Sequence, residues 1–259
     1  GEEPVATGIR EVTNPALGLH DRCATCHLGI ARNDLGDDVP RHLRSHPKQS
    51  DLLGNHPSER FGCTPCHQGQ GPQTKGVSRA PFDHGRDDPF WERPLLRGDF
   101  VEASCLDCHE VPPKGAEVLA RGQALFTSLQ CAGCHLAGKM ASLTPVSAPP
   151  LDLLRTKMSQ AFLEEWLRDP SAIRPGTRMP SFWPAPVDPA DASFVPRPLA
   201  EGTAQHARWV KSRDEEPRAI AAYLASVQPS RTLPVVQLDG DPENPKLVEE
   251  GRALFDRVG

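Results

Sequence analysis

Residues 116–135 read AEVLARGQALFTSLQCAGCH. Val118, Leu119, Leu125, Phe126 and Leu129 recur near i, i+3, i+4 and i+7, which predicts an amphipathic helix running into Cys131-Ala132-Gly133-Cys134-His135. The closing pentapeptide has three relatives upstream: Cys23-Ala24-Thr25-Cys26-His27, Cys63-Thr64-Pro65-Cys66-His67 and Cys105-Leu106-Asp107-Cys108-His109. These four pairs account for all eight cysteines. Histidine makes up 10 of 259 residues, so its position directly after every pair is not chance.

C-x-x-C-H is the attachment signature of c-type haem. Two thiols add across the two vinyl groups of one porphyrin, and the adjacent imidazole is placed under the iron as proximal ligand. The reading assigns Cys23, Cys26, Cys63, Cys66, Cys105, Cys108, Cys131 and Cys134 to cofactor attachment and His27, His67, His109 and His135 to iron, for four covalently bound haem c groups. Competing readings fit less well. Zinc knuckles do not need a histidine after every second cysteine. A thioredoxin-like pair needs a βαβ context that is not visible, and a disulfide scaffold gains little from cysteines three positions apart.

Composition agrees with that reading. Apolar residues are 37% and aromatics 5%, while proline reaches 28 copies and glycine 21. The polypeptide's own core should therefore be thin, and four macrocycles would fill it. Net charge is −5 with Lys and Arg scattered, which argues against a nucleic-acid partner. No apolar run approaches the roughly 18–20 residues needed to cross a bilayer, so no transmembrane segment is expected in the residues shown. A membrane anchor could lie upstream or in another subunit. Haem c is assembled outside the cytoplasm, so the expected location is periplasmic or extracytoplasmic.

The expected fold class is mainly α with extensive irregular coil, a haem-organised tri-haem module followed by an all-α domain. Residues 1–114 carry three motifs among turn-forming sequences such as Asn55-His56-Pro57 and Gly69-Gln70-Gly71-Pro72. From 115 to 229 helices are expected: the one before Cys131, a second from Gln160 to Asp169 ended by Pro170, and a closing one over 215–224 capped by Asp214. Residues 230–246 read as a linker. Gly251-Arg252-Ala253-Leu254-Phe255 repeats Gly122-Gln123-Ala124-Leu125-Phe126. On that repeat, residues 247–259 are expected to open a second, truncated domain whose fifth haem would lie beyond residue 259.

The order of helix, C-x-x-C-H, W-L-R-D-P, P-G-T-R-M-P and A-I-A-A-Y-L over about 115–229 resembles a class I cytochrome c domain. That resemblance implies that Met179, in the P-G-T-R-M-P loop, is the distal ligand of the fourth haem. One departure is the stretch from Pro184 to Pro198 and on through Gly202 to Arg213, longer than the family norm and read as a solvated loop, with a partner surface as the alternative. The first segment carries His46-Pro47, His56-Pro57, the block from Phe61 to Gly71, Asp83-His84-Gly85 and Ala103-Ser104-Cys105. It resembles multihaem cytochrome subunits of bacterial quinol-oxidising complexes such as alternative complex III and bc-type assemblies. The partners implied are membrane quinol-oxidising subunits and a downstream acceptor, a cytochrome or an oxidase.

Three haems in the first segment need distal ligands, and His20, His42, His46, His56 and His84 are available. His46, His56 and His84, each beside a Pro or Gly turn, are the candidates; which serves which iron stays open at this stage. With His/His and Met/His ligation every iron is six-coordinate. The expectation is then an electron-transfer protein without a catalytic residue. The rival readings are a reductase or peroxidase with one open haem, and a docking subunit whose haems are only scaffold.

Overall fold

The computed structural model describes residues 8–72, 95–137, 148–152, 154–188, 190, 198, 200–227 and 245–258. The chain is mainly helical. It opens on an antiparallel pair, β1 (Val12–Asn14) and β2 (Leu19–Asp21), in the register Val12↔Asp21, Thr13↔His20, Asn14↔Leu19. Gly18 turns the chain at φ 60°, a left-handed conformation that glycine adopts without steric cost. Alternation along β2 buries Leu19 and Asp21 and leaves His20 outside, 3.0 Å from Glu11.

Only short elements follow up to residue 72. They are 3-10 turns at Cys23–Thr25 and Arg41–Leu43, a π-helical turn at Gln49–Leu53, and the helices α1 (Ser58–Phe61) and α2 (Thr64–His67). Among the described residues of this stretch Leu19 is the one buried hydrophobic side chain. A chain this long with so little apolar burial has almost nothing to offset the entropy of ordering it.

The core lies further on. A ten-residue 3-10 segment, Gly98–Asp107, carries the third motif and packs Phe100 and Ala103 against α3 (Glu117–Ser128) and α7 (Ala204–Ser226). The short α4 (Leu154–Lys157), then α5 (Gln160–Arg168) with Leu163 and Leu167, and finally Trp183 close the same cluster. Hydrophobic burial thus runs across residues 114 and 115 without a break. Two further joints reinforce the passage. Lys48 Nζ donates to Glu102 Oε1 at 3.0 Å and to the Gly115 carbonyl at 2.7 Å, while Glu102 Oε2 accepts the Leu119 N–H at 3.0 Å. Glu102 in this way satisfies an orphan donor in the first turn of α3.

The helix before Cys131 forms where its periodicity predicts, and α5 is capped by Ser159 Oγ, which accepts the Phe162 N–H at 3.2 Å. Pro170 does end α5, but it also opens the one-turn α6 (Pro170–Ile173), capped by Asp169. The closing helix differs from expectation. It begins at Ala204 with Thr203 as cap, so residues 204–213, read as part of a loop, are helical, and Asp214 lies inside the helix. Pro217 in a helix interior leaves the carbonyl four residues earlier, Arg213, without its N–H. Arg168 Nε donates to that carbonyl at 3.3 Å. Asp214 and Pro217 mimic a helix start in sequence, and a tertiary contact lets the helix run through.

The α3–α7 crossing explains the G-x-A-L-F sequence. A Cβ on Gly122 would run into the Ala219 carbonyl, and Phe126 packs on Tyr223 with ring centroids 5.3 Å apart. α8 (Pro245–Val258) repeats the pattern, yet nothing lies within 4 Å of a Cβ built on Gly251. Gly122→Val is therefore expected to cost about 2–3 kcal/mol through overpacking, whereas Gly251→Val stays within about 0.5 kcal/mol of wild type. Thermal or urea melts of the two variants compare them directly, and equal stabilities would refute the packing role. The expected linker lies outside the described residues apart from residues 245 and 246, which open α8. Among the described residues, no helix is long and apolar enough to cross a membrane.

Candidate haem sites

The four motifs fold alike. In each, the second cysteine's N–H and the histidine's N–H both donate to the first cysteine's carbonyl, at 3.1–3.3 Å and 2.9–3.0 Å respectively. In each, the first cysteine is half-buried and the second exposed, and all eight thiols are free. One tight turn therefore recurs four times, holding two sulfurs and an imidazole on a common scaffold. Burial pushes the Cys105 and Cys131 thiols up to about 11. The Cys23 thiol goes up too, through its hydrogen bond with Cys63 and its burial.

Neighbouring turns are tied to one another in chain order. Asp21 accepts backbone N–H groups from the first and second turns. Ser104 Oγ, beside the third, donates to the Cys66 carbonyl of the second at 2.7 Å, and Gln68 Nε2 donates to Asp107 at 3.2 Å. Arg155 in α4 grips both oxygens of Asp107 at 3.2 Å. Cys105 and Leu106 of the third turn and Cys131 and Ala132 of the fourth pack against one hydrophobic cluster.

Two of the expected distal histidines face motif histidines. His46 and His67 have ring centroids 6.2 Å apart with planes at 77°, and His56 and His109 have centroids 6.1 Å apart at 78°. Edge-to-face ring contacts in general span about 4.5–7 Å, so the spacing alone decides nothing. However, two imidazoles bound to opposite sides of one metal would also stand roughly 6 Å apart, given a metal–nitrogen bond of about 2.0 Å. In both pairs one ring is a motif histidine and the other a distal candidate, at near-equal separations.

Ring orientation bears on the same question. His56 Nδ1 lies 3.1 Å from the Leu52 carbonyl, His135 Nδ1 2.7 Å from that of Pro149 and His67 Nδ1 3.5 Å from that of Leu96. A carbonyl at Nδ1 keeps the ring proton there and leaves the Nε2 lone pair for a metal. His46 differs, with the Lys48 N–H 3.3 Å from its Nδ1, a long contact that ligation through Nε2 would exchange. Burial holds the His46 and His67 rings below the usual histidine value, which keeps them neutral as ligation requires. A cleft of about 670 Å³ opens beside His46, lined also by Pro47, Gln49, Leu53 and Pro57. Neutral imidazoles, free thiols and the matched spacings fit a haem donor set.

Met179 follows α6 and packs against the main cluster, where its sulfur accepts the Trp166 Nε1–H at 2.9 Å. Trp166 comes from α5 and stacks on Phe162, so the loop sulfur is fixed from a helix. His84, the third distal candidate, lies outside the described residues. Sequence reasoning missed Asp21, Glu102 and Trp166. Their roles depend on partners distant in the chain, and no local pattern marks them. The chain matches no family model, no curated protein and no solved structure.

Proposed function

We propose that the chain is a multihaem c-type cytochrome, a tri-haem module joined to a class I cytochrome c domain. It passes electrons from a membrane quinol-oxidising complex, through bis-histidine sites, to a Met/His site and on to a downstream acceptor in an extracytoplasmic compartment. The observation that carries this reading is the matched facing of His46 with His67 and His56 with His109 at 6.2 and 6.1 Å. When bound, haem c supplies a one-electron ferric–ferrous couple whose potential follows its axial ligands. His67 and His46 would hold one iron, His109 and His56 a second, and His135 and Met179 a third.

What the protein's own residues contribute is position and tuning. The cysteine pairs anchor each macrocycle edge. The Leu52, Leu96 and Pro149 carbonyls fix ring tautomer and azimuth, and thioether ligation from Met179 sets the last site above the bis-histidine ones. Hydrogen bonds from the first turn to the second and from the second to the third, with one hydrophobic cluster under the third and fourth, keep neighbouring sites close in chain order. The test is intact mass after expression with a c-haem maturation system. We expect four covalently added haems and a wholly low-spin spectrum. A mass equal to that of the bare polypeptide would overturn the reading.

A further inference from the structure

Asp21 is 2% exposed, at the end of β2, between the first and second motifs. Oδ1 accepts the Cys23 N–H at 2.9 Å, while Oδ2 accepts those of Cys63 and Thr64, both at 2.8 Å. All three donors open attachment turns that are far apart in sequence. A carboxylate oxygen and the sulfurs of Cys23 and Cys63 lie within 4.8 Å of one another. Gly62 packs against the carboxylate as well: at φ 60° it holds a conformation that favours glycine, and a Cβ there would stand a tight 3.0 Å from Asp21 Oδ2 and from Leu19.

Burial pushes the carboxyl up, but the backbone donors of Cys23, Cys63 and Thr64 outweigh it and hold it below the ordinary value. A carboxylate fed by several backbone N–H groups stays ionised without a cation. Asp21 is thus a fixed negative charge at the seam between two cysteine pairs. One carboxylate and two thiols would also attract a metal ion, but under the cytochrome reading both sulfurs are thioethers and unavailable to one.

We propose that Asp21 is a positioning residue that registers the first haem against the second. Resting on the cytochrome reading, it holds both turns so that the Cys23 and Cys63 edges of the two macrocycles lie side by side, and it sets one negative charge beside both. A thioether sulfur is two bonds from the porphyrin ring, so sulfurs this close bring the two edges into close approach. A buried anion favours ferric over ferrous iron and keeps both potentials low.

Asp21→Asn keeps the shape, removes the charge and turns an amide N–H toward backbone donors. In the full-length holoprotein it is expected to retain four haems by intact mass and to raise the potentials of the first two while leaving the others unchanged. It should also weaken the magnetic interaction between the first two irons in EPR at least twofold. Wild-type potentials and coupling in that variant would overturn the proposal. Should Asp21→Asn lose a haem, Asp21→Glu, which keeps the charge but displaces it, is expected to hold four haems at low potentials with altered coupling. Wild-type coupling in Asp21→Glu, or haem loss there too, would reduce Asp21 to a folding residue and overturn the registering role. A wild-type chain without covalent haem would instead sink the cytochrome reading, so the two failures are distinguishable.

Discussion

Under the cytochrome reading, replacing His46 with alanine is expected to open about one iron in four to carbon monoxide. His46 and His67 stand with ring centroids 6.2 Å apart. If these rings share an iron, truncating His46 leaves a five-coordinate site on the His67 side. High-spin signal should appear in proportion, and fast carbon monoxide binding should rise from near zero to roughly a quarter of the reduced haem. His56→Ala should do the same for the His109 site, and the double variant should open half, because the sites are separate and effects at separate sites add. His20→Ala is the control, since His20 is paired with Glu11 at the surface. A wild-type spectrum in both single variants would refute the ligand assignment. Rapid carbon monoxide binding by the wild-type protein would favour a catalytic, open-site haem instead.

Met179→Ala carries the second large effect. Axial ligation commands a range of about 0.8 V across haem proteins, and loss of the thioether is expected to lower the fourth site's potential by something on the order of 0.1–0.2 V. The chain's highest-potential step in a redox titration would then disappear while the other three persist. Trp166→Phe separates ligation from packing. It removes the N–H that reaches the sulfur at 2.9 Å but keeps an aromatic ring on α5. Its effect should be a small shift with the step retained. An unchanged titration in Met179→Ala would remove this residue from the ligand set.

Much of the fold was legible because it is local. The helix over 117–128 follows from its periodicity, and α5 from its serine cap and terminal proline. The four C-x-x-C-H turns are written out in the sequence. Long-range contacts hid the rest. Nothing near Pro217 announces that Arg168 will receive the carbonyl it leaves open, so the closing helix reads as beginning at Asp214 instead of Ala204. Nor does anything near His46 or His56 name its opposite ring. These histidines could be shortlisted by their turns, but their pairing with His67 and His109 depends on how separate turns pack. Asp21 is harder still: a single acid whose three donors come from two motifs has no signature in one dimension.

The uneven placement of apolar burial has a consequence for how the molecule is made. Helices α3, α5 and α7 share a core of apolar side chains, while residues 8–72 bury little more than Leu19. Synthesis delivers these parts in the opposite order, the dependent half first. Under the cytochrome reading, the turns within residues 8–72 would wait as a loose chain, the second thiol of every pair exposed to the attachment apparatus, until the apolar body around α3, α5 and α7 had formed beside them. Loading would then be a folding step for the early half and a finishing step for the late one. Partial maturation should leave molecules compact around α3, α5 and α7 and protease-sensitive over residues 8–72.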